Sequence, residues 1–176
     1  IAVLVGSMSS AYQEGIMRGA AHVAEKNDYN VIGYCGGAVN STDPLSLVRD
    51  RVFGLVDMDL IAGVIGPFSS HLRFLDDHSS QKLINRFSTV PTVNIGSYVQ
   101  GHSNVITDYA IGFEQLFEHF YVKHQYRHIL LMRGPKHHAS SNSRTEIYKE
   151  MLIKHQLPFD QDAVLYADLN RLAAKK

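Results

Sequence analysis

The sequence contains a single cysteine and no long apolar stretch, and these two absences exclude several classes of protein. Cys35 has no second cysteine with which to form a disulfide inside the chain, which favours a reducing compartment. No apolar run approaches the roughly 20 residues that a membrane-spanning helix needs. We therefore expect a cytoplasmic protein and no membrane binding by this segment.

The chain also has no excess of charge of either sign. Seventeen basic residues balance seventeen acidic residues, whereas proteins that hold a phosphate backbone rely on a positive field. Direct nucleic-acid binding by this segment is therefore disfavoured. Ile1 opens directly into a strand pattern without an initiator methionine or a basic leader, so we expect the sequence to begin inside a longer protein.

The short motifs of nucleotide, zinc and serine-hydrolase sites are missing. There is no G-x-x-x-x-G-K-[ST] and no G-x-G-x-x-G, so the turn Gly6-Ser7-Met8-Ser9-Ser10 is only loosely similar to a phosphate loop. The ten histidines include no H-E-x-x-H, and His119 and His124 are five positions apart, a spacing that leaves one face of an α-helix. No G-x-S-x-G elbow supplies a nucleophile. We predict no catalytic residue, no metal and no cofactor, and hence a segment that is not an enzyme.

Apolar runs that alternate with helical patterns fill the first part of the chain. The run Ile1–Val5, closed by Gly6-Ser7, is typical of a buried parallel strand. The other predicted elements are strands at Tyr29–Tyr34, Ile61–Ile65 and Thr92–Ile95 and helices at Tyr12–Lys26, at Leu45–Val56 and within Ser70–Phe87. Because parallel strands need long crossovers and each gap holds a helix, the pattern predicts a parallel sheet with helices on both faces and the first strand inside it.

A second, shorter series follows. It comprises a helix at Tyr109–His124, a strand at His128–Met132, a helix at Asn142–His155 and a strand near Ala163–Tyr166. Two strands are too few for an independent lobe of this type. The sequence therefore predicts an α/β fold of two lobes, with a first lobe at residues 1–107 and an incomplete second lobe at residues 108–176.

Five segments, in order, resemble the lactose-repressor branch of the type I periplasmic-binding-protein superfamily. Ile61-Ala62-Gly63-Val64-Ile65 is similar to its "(D/A)G(L/I)I" strand, and Val90-Pro91-Thr92-Val93-Asn94-Ile95-Gly96 to its "(V/I)PVV.I(D/G)" segment. Asn104–Tyr109 resembles the crossover into the second lobe, His124–Ile129 resembles "GH(R/K)(R/K)I", and Arg133–Tyr148 resembles "G.......R..G(Y/F)". The resemblance covers nearly the whole chain. It implies a two-lobed, periplasmic-binding-protein-like fold.

The segment Tyr34–Pro44 is also similar to domains that act as sensors of bacterial diguanylate cyclases (GGDEF) and histidine kinases. The resemblance thus implies a ligand-binding sensor domain of a bacterial signalling protein, which passes lobe closure to an attached output domain. Three alternatives stay open. They are the effector-binding domain of a lactose-repressor-type transcriptional regulator, a Rossmann or flavodoxin-like enzyme acting at the same crevice, and a protein-interaction module.

In this fold a small effector, here a sugar, nucleoside or other polar metabolite, lies between the lobes at the carboxyl ends of the strands. The resemblance assigns the near wall to Ser7, Ser9, Ser10, Tyr12, Phe68, Ser69, Gly96 and Tyr98, the far wall to Ser141, Asn142 and Arg144, and the hinge to Thr107 and Asp108. Arg144 is the charged group expected to clamp the ligand, because a forked guanidinium binds carboxylates, phosphates and vicinal hydroxyls. The resemblance further implies a two-fold symmetric homodimer formed through the first lobe.

Overall fold

The computed structural model describes residues 1–41, 44–68, 72, 75, 77–136 and 138–167. The chain divides into two compact units, Ile1–Ile106 and Thr107–Lys176. None of the helices in these described ranges combines the length and the apolarity that crossing a membrane requires.

Unit 1 is built on a parallel sheet flanked by helices. Its strands are β1 (Ala2–Val5), β2 (Ile32–Cys35), β3 (Val64–Gly66), β4 (Thr92–Ile95) and β5 (Ser103–Val105), and its helices are α1 (Ala11–Glu25), α2 (Pro44–Arg49) and α3 (Asp77–Ile84). The strand order is β2-β1-β3-β4-β5, and every pairing is parallel. The predicted parallel sheet is confirmed, with β1 inside it. All four residues of β1 are buried, as expected for an apolar run without alternation.

The core of unit 1 combines strand residues with aromatic side chains from the connections. Leu4 and Val64 come from the sheet, and Phe53, Phe68 and Phe87 pack against them. The rings of Phe68 and Phe87 stack with their centroids 6.2 Å apart. Burying such rings stabilises the unit, because each removes a large apolar area from water.

Unit 2 contains two helices and a two-stranded sheet in its described part. α4 (Ala110–Glu118) continues as a π-helical turn, His119–Lys123, and is followed by β6 (Leu131–Arg133), α5 (Ala139–Lys154) and β7 (Val164–Tyr166). β6 and β7 pair in parallel. Phe117 and Tyr148 meet edge to face in the core, and the Tyr148 hydroxyl donates to the Ile129 carbonyl at 2.7 Å.

The observed elements differ from the predicted ones in apolar as well as in polar segments: β2 and β3 each begin three residues later and end one residue later than the predicted strands Tyr29–Tyr34 and Ile61–Ile65. β5 was not predicted, because Ser103-Asn104-Val105 is a short edge strand with no apolar pattern. The predicted helix Leu45–Val56 is α-helical only to Arg49 and then tightens into a 3₁₀ segment, Asp50–Leu55. α5 begins three residues before the predicted Asn142, since its first turn is too polar to show helical periodicity.

The π-helical turn overturns one sequence-based argument. Five-residue spacing does take two side chains to different faces of an α-helix, but a π turn closes i to i+5 hydrogen bonds and so brings such residues together. Here the His124 N–H donates to the His119 carbonyl at 3.3 Å. The two Nε2 atoms lie 2.9 Å apart, so the prediction that these imidazoles diverge was wrong.

Glu118 joins the two helices of unit 2. Its Oε1 accepts from Lys154 Nζ at 2.7 Å and lies 3.0 Å from His155 Nε2. The hydrogen bond from Lys154 is the largest cause that holds the pKa of Glu118 below its usual value, and the same bond raises the pKa of Lys154.

Glu118→Gln should destabilise the protein at neutral pH, and the difference should vanish as the pH falls. A carboxyl whose pKa is lowered by folding stabilises the folded state above its unfolded pKa, and this contribution is lost as the pH falls through the folded pKa. Thermal unfolding of both proteins from neutral to acidic pH measures it. Glu146→Gln, which removes the partner of Lys149 within one helix, is the control and should show a smaller difference. A gap that stays constant with pH would contradict the assignment.

Candidate functional site

The sheet register brings the predicted near-wall segments of unit 1 to one edge. Val3, Ile65 and Val93 lie side by side on β1, β3 and β4. Ser7, Phe68 and Gly96 follow these residues by four, three and three positions, so all three lie beyond the carboxyl ends of neighbouring parallel strands. This is the edge at which ligands bind in open α/β sheets.

In the turn after β1, which is loosely similar to a phosphate loop, the first N–H groups are already bonded within the chain. The Gly6 and Ser7 N–H groups both donate to Oε1 of Gln13, the latter at 3.0 Å. The Ser7 hydroxyl lies 2.8 Å from the Ser9 hydroxyl and accepts from the Ser9 N–H. Ser10 is the N-cap residue of α1 without a side-chain capping bond. Gln13, which sequence reasoning missed, thus occupies the donors that an anion would need.

The remaining near-wall residues differ in exposure. Tyr12 and Tyr98 are 53% and 72% exposed, so both side chains lie at the surface. Phe68 is only 3% exposed and belongs to the core. Ser69 lies outside the described residues. The grouping of these side chains around one ligand therefore stays a prediction, with Phe68 placed beneath the surface and not on it.

Two asparagines hold the loop that follows β4. Gly96 begins it with a φ of 94°, a conformation that favours glycine. Asn94, which is fully buried, donates to the Ser97 carbonyl and to Asn104 Oδ1. The Asn104 amide accepts from the Val99 N–H at 2.9 Å and donates to the Val99 carbonyl at 3.0 Å, as a neighbouring strand would. The position of Tyr98 thus depends on this pair.

Asn104→Ala should lower the free energy of unfolding by about 1–3 kcal/mol, because buried backbone groups at Val99 lose their partners. Chemical denaturation measures the loss. Asn85→Ala, which removes an exposed side-chain bond to Gln81, is the control and should stay within about 0.5 kcal/mol of the parent. Equal stabilities of the two variants would show that the loop does not need the Asn104 amide.

Unit 1 also has a broad cavity of about 630 Å³ at the opposite edge of the sheet. It is lined by residues 85, 88–92 and 100–103, near the amino ends of β4 and β5. None of the predicted site residues lines it. Ligands of open parallel sheets bind at the carboxyl edge, so this cavity lies away from the edge where the effector is expected.

Unit 2 has a cavity of about 310 Å³ where β6 ends and α5 begins. Ser141 and Arg144, two predicted far-wall residues, line it together with Arg133 and Phe113. The Arg144 guanidinium lies over the Tyr109 ring, 4.3 Å from its centroid. Within the described part of the chain, no carboxylate forms an ion pair with Arg144. Its hydrogen-bond donors are therefore available to a ligand in the cavity.

The three predicted far-wall residues have different roles. The Ser141 hydroxyl is buried and accepts from the Gly134 N–H at 3.2 Å, so it ties α5 to the end of β6. Asn142 is exposed and accepts from Arg133. Arg133, which also lies 5.0 Å from the Tyr166 ring centroid, was missed as a site residue. Its place at the carboxyl end of β6 was the available signal, by the rule that placed Ser7.

The predicted hinge residues open unit 2. Thr107 and Asp108 are both exposed, and Asp108 Oδ1 accepts from the Ala110 N–H at 2.9 Å, which begins α4. Hinge residues lie at the ends of such elements. Their role as a hinge remains a prediction.

No protein-family model and no curated protein matches the sequence. Solved structures do match it. A LacI family transcriptional regulator from Mycobacterium smegmatis aligns with a TM-score of 0.74 and 20% identity over 98% of this chain and 58% of its own. The complex of the transcriptional regulator CelR with cellobiose gives 0.71 and 19%, over 98% and 51%. A dimeric Lac repressor with a C-terminal deletion gives 0.70 and 17%, over 98% and 59%.

The chain has the fold of these three structures. The chain spans between 51% and 59% of the length of these three structures, which agrees with the expectation of a second lobe represented in part. The sequence identities, 17–20%, are too low to assign the function of these proteins to this chain. All three are described as regulators or repressors.

Proposed function

We propose that this lactose-repressor-type domain is the effector-binding region of a bacterial transcriptional regulator and catalyses no reaction itself. The observation that carries the proposal is the unit 2 cavity, which Arg144 and Ser141 both line at a strand end, in a fold that solved transcriptional regulators share. The shifted pKa values of Glu118 and Lys154 belong to the packing of α4 against α5 and not to this cavity. Catalytic sites commonly contain groups with shifted pKa values, whereas Glu118 and Lys154 lie in a contact between two helices.

The chemistry of the cavity favours a polar ligand with vicinal hydroxyls or a negative charge. Arg144 lines it, and a guanidinium binds such oxygens in pairs. Arg133 also lines it, although its guanidinium donates to the Gly134 and Pro135 carbonyls and to Asn142. Phe113, Leu131 and Met132 supply an apolar wall, as the faces of a sugar ring require. CelR is described as a complex with cellobiose. A carbohydrate or sugar phosphate is therefore the effector class proposed for this chain.

The effector would act by differential affinity. A ligand that contacts both lobes binds their closed arrangement better than the open one and shifts the population accordingly. The exposed pair Thr107 and Asp108, where unit 2 begins, would absorb the change in backbone angle. The output domain of the regulator, which binds DNA, would respond to that closure.

Thermal unfolding in the presence of mono- and disaccharides, including cellobiose, and of their phosphates tests the proposal. A ligand present at 100 times its Kd should stabilise the folded state by about 2.7 kcal/mol. We expect at least one member of this set to raise the melting temperature, and nucleotide cofactors to leave it unchanged. Stabilisation by NAD or a flavin alone would favour the enzyme alternative, and no stabilisation by any compound would favour the interaction module.

The domain is further proposed to form two-fold symmetric dimers through unit 1. The resemblance implies such dimers, and one solved structure with this fold is described as a dimeric repressor. Analytical ultracentrifugation of the chain should show a monomer–dimer equilibrium. A strict monomer at high concentration would contradict this part of the proposal.

The signalling alternative has its own test. A gene that encodes a cyclase or kinase module after this segment would favour the sensor function over the transcriptional one.

A further inference from the structure

We propose that His119 and His124 form a two-histidine chelating site for a divalent transition ion, nickel(II) or copper(II). The site lies on the π-helical turn of unit 2, apart from the effector cavity. No group of three or more metal-ligating side chains occurs in the ranges that the structure describes, so the proposal concerns a pair of protein ligands and open positions for water.

The first support is the distance between the two imidazoles. Their Nε2 atoms are 2.9 Å apart and their ring centroids 4.7 Å apart. Two imidazoles that bind one ion at about 2.05 Å, at right angles, would have nitrogens about 2.9 Å and centroids about 4.5 Å apart. A linear hydrogen bond of the same length would place the centroids about 5.2 Å apart, because both rings would then lie on one line. The observed geometry is nearer to the chelate.

The second support is that the pair is already held in place. The π turn fixes the backbone through the bond from the His124 N–H to the His119 carbonyl. The His124 ring stacks on Tyr126, with centroids 5.3 Å apart, and the His119 ring meets Phe120 edge to face at 6.0 Å. Ligands that are ordered before binding lose less side-chain entropy when the ion arrives. Binding requires only that the proton shared between the Nε2 atoms move to an Nδ1 atom.

The donor set determines the class of ion. Neutral imidazoles suit zinc, copper and nickel, whereas magnesium and calcium prefer oxygen ligands. Bond angles near 90° favour the square or tetragonal coordination of nickel(II) and copper(II) over tetrahedral zinc(II), whose ligands would stand about 3.3 Å apart. Both histidines are exposed, so an ion can reach them from solvent.

Calorimetric titration of the chain with nickel(II) tests the proposal through a double-mutant cycle. His119→Gln and His124→Gln should each weaken binding about 10- to 100-fold, because the second imidazole no longer acts as a pre-positioned ligand. The double variant should bind more weakly than either single variant, but by less than the two single losses combined, since the chelate is lost only once. His128→Gln, at another exposed histidine of the same unit, is the matched control and should keep the parent affinity.

A second measurement does not depend on the variants. In the parent protein, substoichiometric nickel(II) should broaden the imidazole NMR signals of His119 and His124 together, before those of His128. Single variants that retain the parent affinity, losses that add in the double variant, or broadening spread evenly over all histidines would each overturn the proposal. Magnesium should produce no heat and no broadening at the same concentrations.

Discussion

Replacing Arg144 with alanine should weaken binding of the best stabilising carbohydrate by about 1.5–3 kcal/mol, or roughly 10- to 150-fold in Kd, the range for hydrogen bonds to a charged group. Arg144 lines the unit 2 cavity and is held over Tyr109, so the ligand meets a guanidinium that is already oriented. Stability of the free protein should fall by no more than about 1 kcal/mol, the value of an exposed cation–π contact. Calorimetry on the full-length protein measures the affinity.

Arg127→Ala provides a matched control. The Arg127 guanidinium lies 4.2 Å from the Tyr121 ring centroid, so the variant loses the same kind of contact but at a place that does not line the cavity. It should bind the carbohydrate like the parent. Arg144→Lys should recover only part of the affinity, because an ammonium cannot reproduce the forked geometry. Unchanged affinity in Arg144→Ala would make Arg144 an ordinary surface residue.

The sequence was sufficient to locate the strands that carry strong apolar patterns, although β2 and β3 begin three residues later than predicted. β4 has the predicted bounds, and β1 differs from the predicted strand by one residue, since buried parallel strands are continuous apolar runs. β5 could not be predicted, because it pairs through its backbone and has exposed Ser103 and Val105. Hydrogen bonding to a neighbouring strand leaves no pattern in the side chains of an edge strand.

The candidate site was predictable at the level of strand ends but not of side chains. The rule that ligands bind at carboxyl ends located Ser7 and Gly96 on one edge. It could not show that Gln13 occupies the N–H groups of Gly6 and Ser7, because that contact is formed only once α1 packs above the turn. The same rule, applied to β6, would have found Arg133.

The two histidines show why a prediction from helical periodicity fails where the helix contains a π turn. His119 and His124 were predicted to lie on different faces, on the assumption of an unbroken α-helix. The helix widens after Glu118, and the Tyr126 N–H donates to the Phe120 carbonyl at the end of the turn. A π turn has no reliable sequence signature. Contacts at i and i+5 therefore need the structure.

Phe68→Ala should cost about 3–5 kcal/mol of stability, the usual range for a buried phenylalanine. Sequence resemblance places Phe68 in the ligand wall, whereas the structure buries it against Phe87. A wall residue and a core residue respond differently to truncation. Loss of a wall residue lowers affinity at constant stability, but loss of a core ring leaves a cavity that neighbouring side chains only partly fill.

Tyr98→Ala is the comparison variant, because Tyr98 follows the same sheet edge but is 72% exposed, and its stability should change by less than about 0.5 kcal/mol. Phe68→Leu keeps most of the volume and should cost less than about 1.5 kcal/mol, so it remains folded if the alanine variant does not. Urea denaturation followed by circular dichroism ranks the three. If Phe68→Ala were as stable as Tyr98→Ala, the ring would not be part of the core, and its assignment to the ligand wall would return. The expected order, with Phe68→Ala the least stable of the three variants, would place the Phe68 ring in the core of unit 1.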